Sequence, residues 1–296
     1  MPTRAPRTTF EVMRRGVLLL VLAALGVPAA AAPSVSGAPI AVTRASGGID
    51  LISPAGKRVA SLTAHRGWID SDPDWSPDGA RIAFSRTTNG YRSFQVFVMR
   101  ADGTRVRRLT NGRFDMRPAW SPDGRWIAYQ SVDGIRLVHP DGTGNRLVPG
   151  TERAASDPSW TRGGRLAFSW HAEIEQDWPA SCRRVVELCG WVVTSRLDGS
   201  HRQGVVRGRE ARWSPDGRRV VYTLPDGGVG VAWASGAAHR MISHGHEPDW
   251  SPDGTQIVFT RMGDDEWSDS IWVMNHDGSG AHRIRVGAAT AAWRPR

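Results

Sequence analysis

The amino-acid sequence predicts an all-β chain, a six-bladed β-propeller built from four-stranded blades. Three observations predict it: a Trp-containing motif recurs six times, short alternating apolar segments follow it, and the two ends of the chain supply complementary parts of one blade. The chain has 296 residues with 14 Trp against 7 Phe and 3 Tyr. So large an excess of Trp is typical of a repeated motif.

The repeat is the pentapeptide Trp-Ser-Pro-Asp-Gly. In this motif Pro presets φ for a turn, Asp bonds to the local backbone and Gly supplies a positive φ. Successive Trp residues lie 45, 40, 53, 37 and 43 positions apart, counting one degenerate copy and one truncated copy. The six copies begin at Trp75, Trp120, Trp160, Trp213, Trp250 and Trp293.

Each motif is followed by segments that read as short strands. An alternating apolar run such as Ile82-Ala83-Phe84 comes first, then a second run that ends at an Asp-Gly turn such as Asp102-Gly103. A short last segment, such as Arg108-Leu109-Thr110, completes the unit. Period-two alternation bounded by Gly, Pro and Asp predicts four antiparallel strands per unit. We expect each Trp to pack between neighbouring sheets.

The two ends of the chain predict how the ring closes. The copy at Trp293 stops three residues later, with no strands after it. Near the other end, residues 40–44, 49–52 and 59–62 read as three strands with no Trp-bearing strand before them. We therefore expect the strand around Trp293 to complete a blade begun by these three strands.

The first residues predict export. Arg4, Arg7, Arg14 and Arg15 precede an apolar run over residues 17–27 and then small residues. This pattern is typical of a secretory signal peptide, here residues 1–31, and the run is too short to span a bilayer. The propeller would then occupy residues 32–296 of a secreted, periplasmic or cell-envelope protein without a membrane span in its mature chain. The pair Arg14-Arg15 leaves general secretion and twin-arginine export both open.

Charge argues against nucleic acid as a partner. Four Arg and one Glu lie in the first 31 residues, so their removal lowers the formal charge from +9 to +6. No Lys/Arg-rich tract supports a duplex-binding stripe. A monomer is expected, because a closed propeller protects its strand edges.

The repeat resembles that of a known family. Residues 73–84, Pro-Asp-Trp-Ser-Pro-Asp-Gly-Ala-Arg-Ile-Ala-Phe, are similar to the WD-like propeller repeat of TolB-type periplasmic proteins and of prolyl oligopeptidase relatives. The resemblance covers nearly all of residues 39–296 and implies the propeller fold. Two departures are visible: we expect no N-terminal α/β domain of the TolB type, and no Gly-x-Ser-x-Gly motif of a hydrolase domain is present. TolB-type relatives act as interaction partners in envelope complexes.

The residues three positions before each Trp form the candidate site, here called the mouth ring. In a propeller these positions should line the central channel, and Asp74 and Asp249 should follow on the same side. Four ring residues are acidic in a basic chain, which predicts binding of a metal ion, a cationic group or a basic peptide terminus. The alternative is that these carboxylates accept backbone N–H bonds from the adjoining loops. The ring consists of Asp72, Arg117, Asp157, Glu210, Glu247 and Thr290, and Asp115 lies in an adjoining loop.

Three long loops should wall a cup around this mouth. They span residues 87–93, 171–190 and 264–269 and carry the aromatic residues Tyr91, Trp178 and Trp267 as further candidate ligand contacts. Cys182 and Cys189, the only cysteines, lie in the second of these loops, and a disulfide is expected in an exported protein.

Two classes of function fit this pattern. The first is a non-catalytic binding module without a cofactor, which holds a protein, peptide or glycan at an acidic, aromatic mouth. The second is a polysaccharide lyase or hydrolase that uses Asp157, Glu210 and Glu247 for acid–base chemistry. His246 and Glu247 are weak candidates for ligands of a divalent metal, because alternating His residues at 244 and 246 could face one ion.

Overall fold

The computed structural model describes residues 37–63, 67–88, 92–152, 154–171, 190–263 and 269–295. The predicted signal peptide, Tyr91, Trp178, Trp267, Cys182 and Cys189 lie outside these residues and stay predictions. No helix among the described residues has the length and apolar character needed to cross a membrane.

Over its described residues the propeller is all-β, as the repeat predicts, with six antiparallel sheets of four strands each. The strands are β1 (Ile40–Arg44), β2 (Ile49–Ile52), β3 (Arg58–Ser61), β4 (Trp68–Trp75), β5 (Arg81–Thr88), β6 (Ser93–Arg100), β7 (Arg107–Arg108), β8 (Met116–Trp120), β9 (Ile127–Ser131), β10 (Gly134–Val138), β11 (Arg146–Leu147), β12 (Ala155–Trp160), β13 (Leu166–Trp170), β14 (Trp191–Ser195), β15 (Gln203–Arg207), β16 (Arg209–Trp213), β17 (Arg219–Thr223), β18 (Gly228–Trp233), β19 (Arg240–His244), β20 (His246–Trp250), β21 (Gln256–Arg261), β22 (Ser270–Asn275), β23 (His282–Val286) and β24 (Ala288–Trp293).

The ring closes as predicted, through one blade shared by the two ends of the propeller. Blade 1 has the strand order β24-β1-β2-β3, with Ile40 opposite Trp293 and Ala41 opposite Ala292. Blades 2 to 6 each contain four consecutive strands, from β4–β7 to β20–β23. The last strand is therefore hydrogen-bonded to the first, so the sheet at the closure is continuous.

The Trp-bearing strand is the innermost strand of every blade. Strands β4, β8, β12, β16, β20 and β24 contact one another in sequence around the ring. Each of the six pairings made by these strands has a β-bulge two to four residues before the Trp. A bulge bends a strand and redirects one side chain, here at the same place in all six blades.

The Trp side chains pack between neighbouring blades, as expected. Trp75 lies in one apolar cluster with Ile49 and Leu51 of blade 1 and with Ile82 and Phe84 of blade 2. Its indole Nε1 donates a 3.2 Å hydrogen bond to the carbonyl of Ala292 in β24. One side chain thus joins two sheets through apolar contact and a hydrogen bond.

In the four complete copies, the Ser-Pro-Asp-Gly segment after the Trp is a turn with the chemistry the motif predicts. In the first copy, Asp78 Oδ1 accepts hydrogen bonds from Ser76 Oγ at 2.5 Å and from the Ala80 N–H at 3.0 Å. The Ser76 hydroxyl lowers the pKa of Asp78. Gly79 has a φ of 63°, which a side chain would strain. These motif residues hold the turn together and lie apart from the mouth ring.

Candidate functional site

The mouth ring is assembled as the repeat predicts. Its six residues line one central cavity of about 60 Å³. All six have positive φ, between 36° and 55°, at the bulges of the inner strands. A non-Gly residue in this region costs on the order of 1–3 kcal/mol and persists only where the surrounding structure holds it. The six-fold repetition of this conformation turns six side chains toward one axis.

Hydroxyl groups from the preceding blade hold the backbone of several ring residues. Ser85 Oγ accepts the Arg117 N–H at 2.9 Å, Ser169 Oγ accepts the Glu210 N–H at 3.2 Å, and Thr223 Oγ1 accepts the Glu247 N–H at 3.1 Å. These hydroxyl residues were not singled out from the sequence. Their signal is a Ser or Thr nine or ten positions after a motif Trp, within the second strand of the blade.

Arg117 neutralises part of the negative charge of the ring. Its guanidinium extends into the cavity and pairs with three of the four carboxylates: Nη1 with Asp157 and with Glu210 Oε1 (3.2 Å), and Nη2 with Glu247 Oε1 (3.5 Å). Burial opposes ionisation of Asp157, but Arg117 and the Ser156 hydroxyl hold the pKa of Asp157 below its ordinary value. Sequence reasoning counted Arg117 as an exception in an acidic ring, whereas the structure makes it the common partner of three acids.

Glu247 is the ring carboxyl most strongly perturbed. Burial, reinforced by the neighbouring Glu210 carboxylate, raises the pKa of Glu247 to about 8, although Arg117 opposes this. Glu247 is therefore mostly protonated at neutral pH. The three other ring acids and one guanidinium then leave the ring with an excess of two negative charges.

Asp72 is the ring acid without a cation in direct contact, although its charge acts on Arg117 over a longer distance. Its Oδ2 accepts a 2.9 Å hydrogen bond from Ser71 Oγ. No Arg, Lys or His nitrogen of the described residues lies within 4.0 Å of its carboxylate. Asp72 therefore presents a negative charge to the cavity that no neighbouring side chain pairs with directly.

Some acids of the mouth do act as backbone braces. Glu210 Oε2 accepts the Glu247 N–H at 3.1 Å while Oε1 pairs with Arg117, so Glu210 braces the backbone and also neutralises part of the Arg117 charge. Asp74 accepts the Trp120 N–H at 2.7 Å and Asp249 accepts the Trp293 N–H at 2.9 Å. Each of these three acids ties its blade to the next one.

Asp74 and Asp249 line the same cavity with Arg212, as strand alternation predicts. Burial raises the pKa of Asp74 to about 7, and it raises the pKa of Asp249, while Arg212 opposes both shifts. Because their oxygens accept backbone N–H bonds and burial disfavours their charge, we assign Asp74 and Asp249 to stabilising the backbone next to the ring.

Asp115 does not join the ring. Its side chain is 2% exposed, and its oxygens accept the Gly112 N–H at 2.8 Å and the Ser131 hydroxyl at 2.7 Å. It is not among the residues that line the central cavity. Because both oxygens are engaged within the loop, we assign Asp115 to loop bracing and not to ligand contact.

A larger cavity of about 620 Å³, the mouth groove, opens beside the ring between blades 5 and 6. His246 lies on it, with Nδ1 3.8 Å from Glu247 Oε2 and with a buried Nε2 that has no hydrogen-bond partner. No group of three or more His, Cys, Asp or Glu side chains in the described part of the chain is close enough to hold a metal ion. The groove is lined by Arg117, Arg209, Glu210, Asp226, Gly227, His244, Gly245, His246, Glu247, Arg261 and Met262.

Comparisons with known proteins identify the fold. No family model and no curated protein matches the chain. Among solved structures it is similar to TolB from Acinetobacter baumannii, with a TM-score of 0.70 at 13% identity over 88% of this chain and 67% of that one. A chain of a nidogen/laminin complex gives a TM-score of 0.66 at 11% identity, over 87% and 98%. Oligogalacturonate lyase from Vibrio parahaemolyticus gives 0.51 at 14% identity, over 76% and 68%.

These identities are low enough that the likeness concerns the fold alone. The architecture agrees with the resemblance read from the repeat: six four-stranded blades, Trp-bearing inner strands and closure by both ends. The described chain is a TolB-like six-bladed β-propeller.

Proposed function

We propose that this protein is an exported, non-catalytic binding propeller that receives a cationic group of a protein, peptide or glycan ligand in the mouth ring. The observation that carries the proposal is the charge balance of the ring. Arg117 lies within 4.0 Å of Asp157, Glu210 and Glu247, while Asp72 faces the same cavity and interacts with Arg117 only over a longer distance. An excess of negative charge in a partly desolvated cavity favours a cation.

The size of the cavity restricts what can enter. A volume of about 60 Å³ corresponds to about four water molecules, so it admits an ammonium, a guanidinium tip or a single metal ion. The rest of a ligand would lie on the mouth face, where the groove of about 620 Å³ has the size of a small-molecule site.

The comparisons support a binding role. One propeller of similar fold was solved as part of a nidogen/laminin complex. The TolB likeness supports interaction in the cell envelope and agrees with the signal-peptide pattern of residues 1–31. Both are arguments from fold, and the assignment depends on the ring itself.

Asp72→Asn tests the proposal. The change is isosteric, removes one charge and suits the positive φ of this position, because Asn tolerates the left-handed region. We expect trilysine, titrated calorimetrically into the purified protein, to bind the variant about tenfold more weakly than the wild type. The matched control is Asp102→Asn, in an exposed Asp-Gly turn, and it should leave trilysine affinity unchanged. Equal affinities of wild type and Asp72→Asn would refute binding at the ring.

One observation favours an enzyme as the second candidate. Glu247, whose pKa burial raises to about 8, donates its main-chain N–H to the side chain of Glu210, and two such neighbouring carboxyl groups are the kind of pair that general acid–base catalysis uses. The oligogalacturonate lyase of similar fold makes oligogalacturonate a reasonable probe. Turnover of oligogalacturonate by the wild type, lost in Glu247→Gln, would establish this alternative. If the protein only binds its ligand, neither the wild type nor Glu247→Gln should release unsaturated product from oligogalacturonate.

A further inference from the structure

The mouth groove contains two arginines, Arg209 and Arg261, that form no close ion pair with a carboxylate of the described residues. Arg209 approaches a carboxylate only at 3.8 Å, from Nη1 to Glu210 Oε1, and its guanidinium donates no hydrogen bond to a described residue. Its Nε is buried without a partner. Because this Nε is inaccessible, a ligand oxygen would contact the terminal nitrogens of Arg209, whose side chain is 26% exposed.

Arg261 is held in place by neutral groups only. It donates from Nε to the His244 carbonyl at 3.2 Å and from Nη2 to Ser243 Oγ at 3.0 Å. Its guanidinium lies over the Trp272 ring, 3.8 Å from the ring centroid. No carboxylate of the described residues forms an ion pair with it. The stacking fixes the plane of the guanidinium and leaves Nη1 available.

We propose that the mouth groove binds the carboxylate of a small ligand through Arg209 and Arg261. A planar guanidinium matches a carboxylate with two parallel N–H···O bonds. Exposed Met262 on the rim offers apolar contact to the rest of the ligand. The proposal rests on the proposed function, because the groove opens onto the same mouth, and it adds that the ligand carries a carboxylate as well as a cationic group.

The charge of the groove favours a carboxylate over a phosphate. Arg209 and Arg261 bring two positive charges, Glu210 and Asp226 bring two negative ones, and the charge of Arg117 is already engaged by the ring acids. Glu247 is mostly neutral at pH 7. Burial lowers the pKa of His246, although Glu210 and Asp269 favour its protonated form, so His246 adds little charge. A monoanion adds less charge to this balanced groove than a phosphate dianion does.

Hippurate, which joins one carboxylate to an apolar ring, is a suitable probe. We expect it to bind the purified protein with a Kd of about 1 mM or tighter, and its uncharged amide, hippuramide, to bind at least about tenfold more weakly. Arg209→Gln and Arg261→Gln should each weaken hippurate binding about tenfold. Arg209→Lys keeps the positive charge but loses the two parallel N–H donors of the guanidinium, so its affinity for hippurate should lie between those of Arg209→Gln and the wild type. The matched control is Arg219→Gln, since Arg219 also stacks on a Trp but lies outside the groove, and it should bind hippurate as the wild type does.

The proposal would be overturned if hippurate did not bind up to about 10 mM, or if hippuramide bound as tightly as hippurate. It would also be overturned if Arg219→Gln lost as much hippurate affinity as Arg209→Gln and Arg261→Gln. Tighter binding of phenyl phosphate than of hippurate would contradict the preference for a carboxylate. Asp72→Asn distinguishes binding in the groove from binding in the ring. Asp72 does not line the groove, so this variant should lose trilysine affinity and keep hippurate affinity. Failure of one site therefore leaves the test of the other intact.

Discussion

Arg117 is the residue on which the electrostatics of the mouth depend. It is the one cation among six ring positions, and it approaches three carboxylates from a single side chain. These acids raise the pKa of Arg117 well above its ordinary value, against the effect of burial. Asp72 also acts on Arg117, over a longer distance, so under the proposed function a ligand cation would share Asp72 with this guanidinium.

Removal of Arg117 should be strongly destabilising. In Arg117→Gln the buried carboxylates of Asp157 and Glu210 lose their cation, and breaking a buried pair in this way costs about 3–5 kcal/mol. Urea denaturation measures the loss. Arg209→Gln is the control, because Arg209 reaches Glu210 only at 3.8 Å and should contribute less than about 1 kcal/mol. Equal effects of the two changes would show that Arg117 does not hold the ring together.

Glu247 should make the stability of the protein depend on pH. Its pKa is about 8 in the folded protein and ordinary in the unfolded chain, so the folded state binds the extra proton between about pH 4.5 and pH 8. Its contribution to the free energy of unfolding is complete at the acidic end of this range. It is lost as pH rises through about 8, by on the order of a few kcal/mol.

The comparison of wild type with Glu247→Gln isolates this contribution, because the shifts at Asp74 and Asp249 are common to both proteins. Urea denaturation should show that the free energy of unfolding falls between pH 5 and pH 8 in the wild type. The decrease in Glu247→Gln should be smaller. Identical losses in both proteins would mean that Glu247 titrates normally.

At the scale of one blade, the inner strand contains both the Trp that packs between blades and the residue that lines the mouth ring. Trp75 is 5% exposed between two sheets, whereas Trp233 is 46% exposed at the end of β18. Trp75→Ala should lower the free energy of unfolding by about 3–5 kcal/mol, because it removes a large buried side chain and leaves a cavity. Trp233→Ala should cost less than about 1 kcal/mol. Similar losses in the two variants would contradict the role of the motif Trp in joining blades.

The strand pattern of a blade could be read from the sequence because its causes are local. Alternation sets the faces of Ile82-Ala83-Phe84, and the Pro-Asp-Gly turn fixes where β4 ends and β5 begins. The ring positions were also predictable, since the spacing from each Trp is constant. Asp115 lies in the adjoining loop, as expected, but its distance from Trp120 gave no information on the bonds it makes to Gly112 and Ser131.

The partners of the ring could not be read from the sequence, because they come from different blades. Arg117 of blade 3 pairs with Asp157 of blade 4 and Glu210 of blade 5, at separations of 40 and 93 residues. The mouth groove likewise combines loops of blades 5 and 6, and only the three-dimensional arrangement brings Arg209 and Arg261 onto one cavity. Local patterns predict which position a residue occupies but not which distant charge it faces.

At the scale of the whole molecule, stability depends on closure of the ring. Strand β24 supplies the inner strand of blade 1, and Trp293 packs with Ile40, Val42 and Val258 between blades 1 and 6. Deletion of residues 288–296 should therefore abolish cooperative unfolding, because blade 1 loses the strand that pairs with β1. Deletion of residues 295–296, beyond β24, is the control and should retain it. Cooperative unfolding of the longer deletion in thermal denaturation would show that closure is dispensable.

The most direct test of the account is a crystal structure of the protein with trilysine bound. We expect one ammonium nitrogen in the central cavity, within about 4 Å of the Asp72 carboxylate, with Arg117 still paired to Asp157. The peptide chain should lie on the mouth face. Trilysine bound elsewhere on the protein, with the ring holding only Arg117 and water, would contradict the claim that the mouth ring receives a cation.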